Sequence, residues 1–147
     1  MNAKPGFDEV APGLYVGSAP PAGASFPLDH IKVLVLCAKE YQPSAQVFPG
    51  LEVIRVPLDD AGRPPTSAEV QGAIQAAGEV YSRLAQGKRV LVTCMQGRNR
   101  SGLTAALAMR MAGATASRAV KAVRKARGSD ALSNPYFVDI VKRFDTR

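Results

Sequence analysis

The sequence RVLVTCMQGRNRSG, residues 89–102, joins three kinds of local pattern in a short space. Its apolar run, RVLV, predicts a strand buried within a sheet, and the small residues that start at Ser101 predict a helix that packs closely on that sheet. Between them lies a loop that begins with Cys94 and contains one glycine. Because ligands of α/β sheets bind beyond the carboxyl ends of the strands, we expect this loop to border a site.

Strands and helices also alternate on either side of this loop. Strands are predicted for LYV, IKVLVLCA and LEVIRVPL, residues 14–16, 31–38 and 51–58, and the last two are typical of strands buried on both faces. Helices are predicted over residues 68–85, 101–113, 115–128 and 134–144. A Gly/Pro-rich loop is expected over residues 17–25. The alternation indicates an α/β fold, a single domain over residues 1–147 with a central, mostly parallel sheet flanked by helices.

The first predicted helix has the clearest pattern. Either Thr66 or Ser67 caps it, and Gly87 ends it. Its apolar face is predicted from residues at helical spacing, which are Val70, Ile74, Ala77, Tyr81 and Leu84.

Composition sets limits on the class of protein. The chain has 147 residues, of which 46% are apolar and 21% charged, as in one ordinary globular domain. No apolar run approaches the roughly 20 residues that span a bilayer, and the first residues lack the apolar stretch of a signal peptide, so we expect a cytoplasmic protein. With one histidine and two widely separated cysteines, no spaced set of ligands predicts a metal site.

The charge balance indicates an anionic partner without identifying it. Lysine and arginine number 19 against 12 aspartates and glutamates, a formal net charge of +7. Such a surface attracts nucleic acid, acidic phosphoproteins, anionic lipids or phosphate metabolites. A solvated helix face without a dedicated partner explains the same charges equally well.

The loop from Cys94 to Arg100 has the residues of an oxyanion site. Its backbone N–H groups can form a nest, Gly97 permits the tight curl, and the following helix N-terminus adds unpaired donors. Arg100 has a planar fork that holds two phosphate oxygens at once. The same positive surroundings favour the thiolate form of Cys94, the nucleophilic form, and Ser101 can donate a hydrogen bond to its sulfur. A packed core thiol is the alternative reading of Cys94.

A nucleophile that attacks a phosphate ester also needs a general acid for the departing oxygen. The loop after another buried strand, VPLDDAG, contains Asp59 and Asp60. Its position at a strand end predicts that one of these carboxylates lies over the same pocket as Cys94.

Here VTCMQGRNRSG resembles the Cys-x2-Gly-x2-Arg-Ser/Thr signature of the cysteine-dependent protein tyrosine phosphatases, and most closely their small dual-specificity branch. The likeness continues through PGLYVGSAP, IKVLVLCA, VIRVPLDD, GATASRAVKAVRKAR and NPYF, and so covers most of the chain. It implies a dual-specificity phosphatase-like fold with the phosphatase loop between a strand and a helix. It also implies that Asp60 is the general acid, with Asp59 as the alternative.

The resemblance implies a monomeric phosphatase that needs no cofactor. It implies hydrolysis of phosphotyrosine and phosphoserine/threonine in proteins through a phosphocysteine intermediate, and nucleic acid is not expected as a partner. The implied catalytic residues are Cys94, Arg100, Asp60 and Ser101. The residues implied to bind substrate are Met95, Gln96, Gly97, Arg98 and Asn99.

Two alternatives remain open at this point. One is a phosphatase of non-protein phosphates, such as a phosphoinositide or an RNA 5′-phosphate, which the positive charge and Arg98 favour. The other is a catalytically weak phosphate-binding pseudophosphatase, because Thr93 stands where the family has a histidine beside the nucleophile. Thr93 predicts a less reactive thiol and slower turnover than in relatives with histidine. The pH dependence of inactivation by iodoacetamide, compared between wild type and Thr93→His, measures this, and identical profiles would refute it.

Overall fold

The computed structural model describes residues 6–20 and 30–145. Five strands are present in this part of the chain: β1 (Phe7–Ala11), β2 (Leu14–Gly17), β3 (Ile31–Ala38), β4 (Glu52–Leu58) and β5 (Arg89–Thr93). Four α-helices accompany them: α1 (Ser67–Ala85), α2 (Arg100–Met111), α3 (Ala116–Arg127) and α4 (Pro135–Arg143). A 3-10 turn covers Ala45–Val47. Residues 21–25 of the predicted Gly/Pro-rich loop lie outside the described residues.

The strands form one sheet in the order β1-β2-β5-β3-β4. The four strands from β2 to β4 run parallel, and only β1 is antiparallel to its neighbour. The prediction of an α/β fold with a mostly parallel sheet is therefore confirmed. The sequence patterns did not predict β1, because its residues are only half-buried or exposed at the sheet edge and lack a long apolar run.

The interior strands match their apolar sequences, whereas β4 does not. In β3 only Lys32 is exposed, and in β5 only Arg89 is exposed. In β4, by contrast, Ile54, Val56 and Leu58 are buried while the residues between them are exposed. The prediction that β4 is buried on both faces is wrong, because β4 is an edge strand. An edge strand also tolerates Pro57, which has no backbone N–H to donate.

Helix α1 begins with a capping box. The Thr66 side chain accepts from the Glu69 backbone N–H, and the Glu69 carboxylate accepts from the Thr66 N–H. The buried stripe of the helix consists of Ala73, Ala76, Ala77 and Val80. The predicted apolar face is therefore rotated: Tyr81 is 42% exposed, because small side chains allow α1 to approach α2 closely and the larger ones lie at the flanks.

Helix α2 is the central helix and starts at the carboxyl end of β5. Every residue from Arg100 to Met109 is buried. Gly102 is closely packed there, because a Cβ atom at this position would lie 3.0 Å from the Leu132 side chain. Within the described ranges, none of the helices is long and apolar enough to cross a lipid bilayer.

Candidate active site

A polar pocket lies where β3, β4 and β5 end. It has a volume of about 360 Å³ and is lined by Glu40, Asp60, Cys94, Met95, Gln96, Arg98, Asn99, Arg100 and Ser133. A larger cavity, of about 750 Å³, lies at the opposite end of the strands, where His30, Lys32 and Arg89 line it. The carboxyl-end pocket is the candidate active site, because it contains the cysteine and is at the edge where α/β sheets bind ligands.

The loop after β5 directs its carbonyl groups away from the pocket. The carbonyls of residues 95–98 accept hydrogen bonds, in order, from Ala19 N (3.3 Å), Arg127 Nη2 (3.1 Å), Arg127 Nε (3.1 Å) and Leu132 N (3.2 Å). In a trans peptide the next residue's N–H points opposite to the carbonyl, so the amides of residues 96–99 point to the other side. Those amides donate no hydrogen bond to any described residue. The loop thus presents a row of open donors, the arrangement that binds a tetrahedral oxyanion.

Arg127 holds this loop in place from the side away from the pocket. Its side chain is fully buried at the end of α3 and forms an ion pair with Asp8 of β1, with an Nη1–Oδ2 distance of 2.7 Å. Gly97, which has φ +67°, lies against it: a Cβ atom there would be 2.5 Å from the Gly17 carbonyl carbon and 2.9 Å from Arg127 Nη2. Glycine at this position is therefore required both by the backbone conformation and by the space.

Cys94 lines the pocket, and Ser101 lies beside its sulfur without lining the pocket itself. The Cys94 sulfur lies 3.1 Å from the Ser101 hydroxyl oxygen, and both side chains are buried. The backbone N–H of Cys94 donates to the Gly17 carbonyl at 3.3 Å, which holds the residue at the end of β5. Chemically, a thiolate at this position faces the open loop amides and has a hydroxyl donor beside it.

Arg100 is held at one end of its guanidinium group. Nη1 and Nη2 donate to the two Glu40 carboxylate oxygens at 2.5 and 2.8 Å, and Nη1 also donates to the Leu58 carbonyl at 3.0 Å. The hydrogen bond from Arg100 holds the pKa of Glu40 at about 2. These contacts use three of the five N–H groups of arginine. The two that remain, on Nε and Nη2, form the fork that binds an anion side-on.

The two candidate acids have different environments. Asp60 lines the pocket, and its two carboxylate oxygens accept from Asn99 Nδ2 at 3.1 Å and Asn134 Nδ2 at 2.9 Å. Asp59 does not line the pocket and forms an ion pair with Arg63, with an Nη2–Oδ2 distance of 3.4 Å. The geometry favours Asp60 over Asp59 for proton transfer to a molecule in the pocket.

The predicted substrate-binding residues separate into two groups. Met95, Gln96, Arg98 and Asn99 line the pocket, whereas Gly97 is buried against Gly17. Arg98 has a buried Nε without a hydrogen-bond partner among residues 6–20 and 30–145, a donor that suits an anionic ligand.

Sequence patterns missed three residues that touch this machinery: Glu40, Arg127 and Asn134. Glu40 follows β3 at the same sheet edge as Cys94, and this placement is the only signal that pointed to it. Arg127 is the last residue of α3, and Asn134 is the N-cap of α4. Both residue types are typical of helix ends, so nothing in the sequence marked them as parts of the site.

Thr93 supports the sheet rather than the loop. Its buried hydroxyl donates to the Val35 carbonyl of β3 at 2.9 Å.

Both cysteines are free, and Cys37 is buried in β3 with its sulfur 3.5 Å from the Thr104 hydroxyl. Burial raises the pKa of the Cys37 thiol, so Cys37 is the less reactive kind of thiol.

The chain is similar to known proteins over nearly its whole length. It is 31% identical to human dual specificity phosphatase 28, over 96% of this chain and 78% of that protein. The crystal structure of human DUSP28 matches with a TM-score of 0.80 and 27% identity, over 97% of this chain and 95% of the other. A mouse putative dual specificity phosphatase, solved in complex with zinc tungstate, matches with a TM-score of 0.80 and 29% identity, over 97% and 88%.

No protein-family model matches the chain. The match to the human relative nevertheless covers 96% of this chain, and the match to the human structure covers 97% of it. The chain therefore belongs to the dual-specificity phosphatases, within the cysteine-dependent protein tyrosine phosphatase superfamily, and is a phosphatase.

Proposed function

We propose that this phosphatase hydrolyses phosphotyrosine and phosphoserine/threonine in proteins through a cysteinyl-phosphate intermediate on Cys94. One observation carries the proposal: Cys94, whose sulfur lies 3.1 Å from the Ser101 hydroxyl, lines the same pocket as Arg100 and Asp60. A nucleophile, an anion fork and an acid thus surround one volume. The chemistry needs no metal ion or organic cofactor, because each proton and each charge has a protein group to take it.

In the first step the Cys94 thiolate attacks phosphorus. The S–P bond forms as the bond from phosphorus to the leaving oxygen breaks, and Asp60 gives its proton to that oxygen. The amides of residues 96–99 and the free fork of Arg100 hold the three remaining phosphoryl oxygens, where negative charge develops.

In the second step water attacks the phosphocysteine. Asp60, now a carboxylate, accepts a proton from the water, and the O–P bond forms as the S–P bond breaks. Ser101 donates a hydrogen bond to the departing Cys94 sulfur. Inorganic phosphate leaves and the thiolate is restored, so the protons of the two steps balance.

The pocket supports a broad choice of phosphorylated residue. Among the described residues that line it there is no aromatic ring, so nothing there selects a phosphotyrosine ring over an aliphatic side chain. The Arg98 side chain, whose buried Nε has no partner among the described residues, adds positive charge for an anionic substrate. The mouse relative solved with zinc tungstate is consistent with an oxyanion ligand, since tungstate is tetrahedral like phosphate. We further propose a cytoplasmic monomer that acts on phosphoproteins and not on nucleic acid.

A substrate panel tests the proposed function. We expect release of p-nitrophenol from p-nitrophenyl phosphate, and release of phosphate from peptides that contain phosphotyrosine, phosphoserine or phosphothreonine. The panel also includes a phosphoinositide and a 5′-phosphorylated RNA. Turnover of only these last two compounds, with all three peptides inert, would contradict a protein phosphatase.

Replacing Asp60 with asparagine should slow hydrolysis in a way that depends on the leaving group. We expect a loss of about a hundredfold on phenyl phosphate, whose leaving oxygen needs the proton, and about tenfold on p-nitrophenyl phosphate, whose leaving group is a stronger acid. The measurement is kcat for both substrates at one pH. Asparagine retains the size of the aspartate side chain and one acceptor oxygen, so it can keep one of the two hydrogen bonds from Asn99 and Asn134.

Asp59→Asn is the matched control, because it changes the adjacent carboxylate outside the pocket. It should leave the ratio of the two rates unchanged. A larger loss in Asp59→Asn than in Asp60→Asn would transfer the acid role to Asp59.

A further inference from the structure

A second cleft adjoins the catalytic pocket on the side of the general acid. It has a volume of about 340 Å³ and is lined by Asp60, Ala61, Gly62, Asn99, Ser133, Asn134, Pro135 and Tyr136. Asp60, Asn99 and Ser133 line both the cleft and the catalytic pocket, so the two volumes share one wall. The volume is at the small end of the range of ligand pockets, about 300–1,000 Å³, which suits one side chain.

The walls of this cleft are held in place from behind. Asn134 uses its side-chain amide N–H to hold Asp60, and its side-chain oxygen accepts from the Tyr136 and Phe137 backbone N–H groups at 2.9 and 3.4 Å. Phe137 is buried in the core. The backbone of Tyr136 is thus fixed between a helix cap and a core residue, and a ligand would enter a cleft that already exists, at low ordering cost.

The Tyr136 ring is partly exposed beside the catalytic pocket. Three large apolar side chains are exposed in the described part of the chain: Tyr81, Met95 and Tyr136. Two of them line the two adjoining volumes: Met95 lines the catalytic pocket, and Tyr136, which is 39% exposed, lines the cleft. Tyrosine is a residue that often anchors a partner, because its ring buries a large area with little loss of side-chain freedom.

The chemistry of the proposed function, on which this inference rests, gives the direction of the substrate. Asp60 must reach the leaving oxygen, so the rest of the substrate leaves the catalytic pocket past Asp60. The cleft begins at that residue. Adjacent residues of a peptide have Cα atoms about 3.8 Å apart, so a residue next to the phosphorylated one comes over the cleft.

We propose that the cleft between Asp60–Gly62 and Ser133–Tyr136 is a substrate subsite for an apolar, preferably aromatic, side chain directly beside the phosphorylated residue. Tyr136 forms its contact face, and Pro135, Ala61 and Gly62 complete the apolar lining. The Asp60 carboxylate at one end disfavours an acidic side chain there. The subsite selects sequence around the phosphate while the catalytic pocket selects the phosphate itself.

Binding of matched peptides tests the subsite without any turnover. Labelled phosphotyrosine peptides that differ only in having phenylalanine or glycine directly before or directly after the phosphotyrosine are titrated against Cys94→Ser protein, and Kd is read from fluorescence anisotropy. At one of the two positions phenylalanine should bind about tenfold more tightly than glycine. Adding Tyr136→Ala should remove most of that preference.

Tyr81→Ala is the matched control, because Tyr81 is exposed to a similar extent on α1, away from the pocket, and it should retain the preference. Equal Kd values for phenylalanine and glycine at both positions, or a preference that survives Tyr136→Ala, would overturn the subsite.

Hydrolysis of p-nitrophenyl phosphate by proteins with native Cys94 is measured separately. It should not change in Tyr136→Ala, and a raised KM would instead place the substrate ring itself in the cleft and so overturn the proposal. Failure of the wild type to hydrolyse any phosphate ester would refute the proposed function and leave the result of the binding test intact.

Discussion

Cys94→Ser should reduce hydrolysis of p-nitrophenyl phosphate by about 10⁶-fold, the order of loss seen when a covalent nucleophile is removed. The serine hydroxyl is not ionised near neutral pH, so the pocket no longer contains an anionic nucleophile that can attack phosphorus. The serine side chain is nearly the same size and can keep a hydrogen bond with the Ser101 hydroxyl, so the fold should remain. Initial rates and thermal melting of the same preparations measure the two effects separately.

Cys37→Ser is the matched control. Cys37 is also buried and also lies beside a hydroxyl, that of Thr104, with which the new serine can form a hydrogen bond. Its activity should stay close to that of the wild type. Rapid acid quenching of the wild type should also trap phosphate on Cys94 and on no other residue. Loss of activity in Cys37→Ser with activity retained in Cys94→Ser would contradict the mechanism.

The parts of the site that the sequence predicted are those that local patterns encode. Cys94, Arg100 and Ser101 lie in one strand-loop-helix unit, where the spacing of residues alone sets their geometry. Asp60 was expected because carboxyl ends of parallel strands meet at one edge of a sheet. A short stretch of sequence and a general rule of topology were therefore sufficient to predict that these residues lie close together.

The remaining parts depend on contacts between distant segments. Asn134 holds Asp60 from 74 residues away, and the ion pair of Arg127 with Asp8 joins the end of α3 to the first strand. No periodicity in the sequence marks such pairs. The buried face of α1 also depends on a contact between segments. The apolar spacing predicted a face that includes Tyr81, but the face that packs closely against α2 consists mainly of alanines.

Arg100→Lys should lower kcat for p-nitrophenyl phosphate by about a thousandfold, as expected when a donor aimed at developing charge is lost. The guanidinium is engaged by Glu40 and Leu58 at its far end, so the Nε and Nη2 N–H groups are left as a planar fork for two phosphoryl oxygens. Lysine keeps the charge but has no fork, and its single ammonium group would be drawn to Glu40. KM should change less than kcat, because the charge on the transferring phosphoryl group is greatest in the transition state.

Glu40→Gln separates the orientation of Arg100 from its charge. Arg100 holds the pKa of Glu40 at about 2, below its ordinary value of 4.5, so the pair is complete above about pH 4.5 and weakens only as pH falls towards 2. Glutamine should therefore lower kcat by about tenfold throughout the neutral range, without a new inflection in the pH profile there. Arg98→Lys, in the same loop, should have a smaller effect than Arg100→Lys. Equal losses for these two lysine variants would mean that the loop needs positive charge alone, and would refute the fork at Arg100.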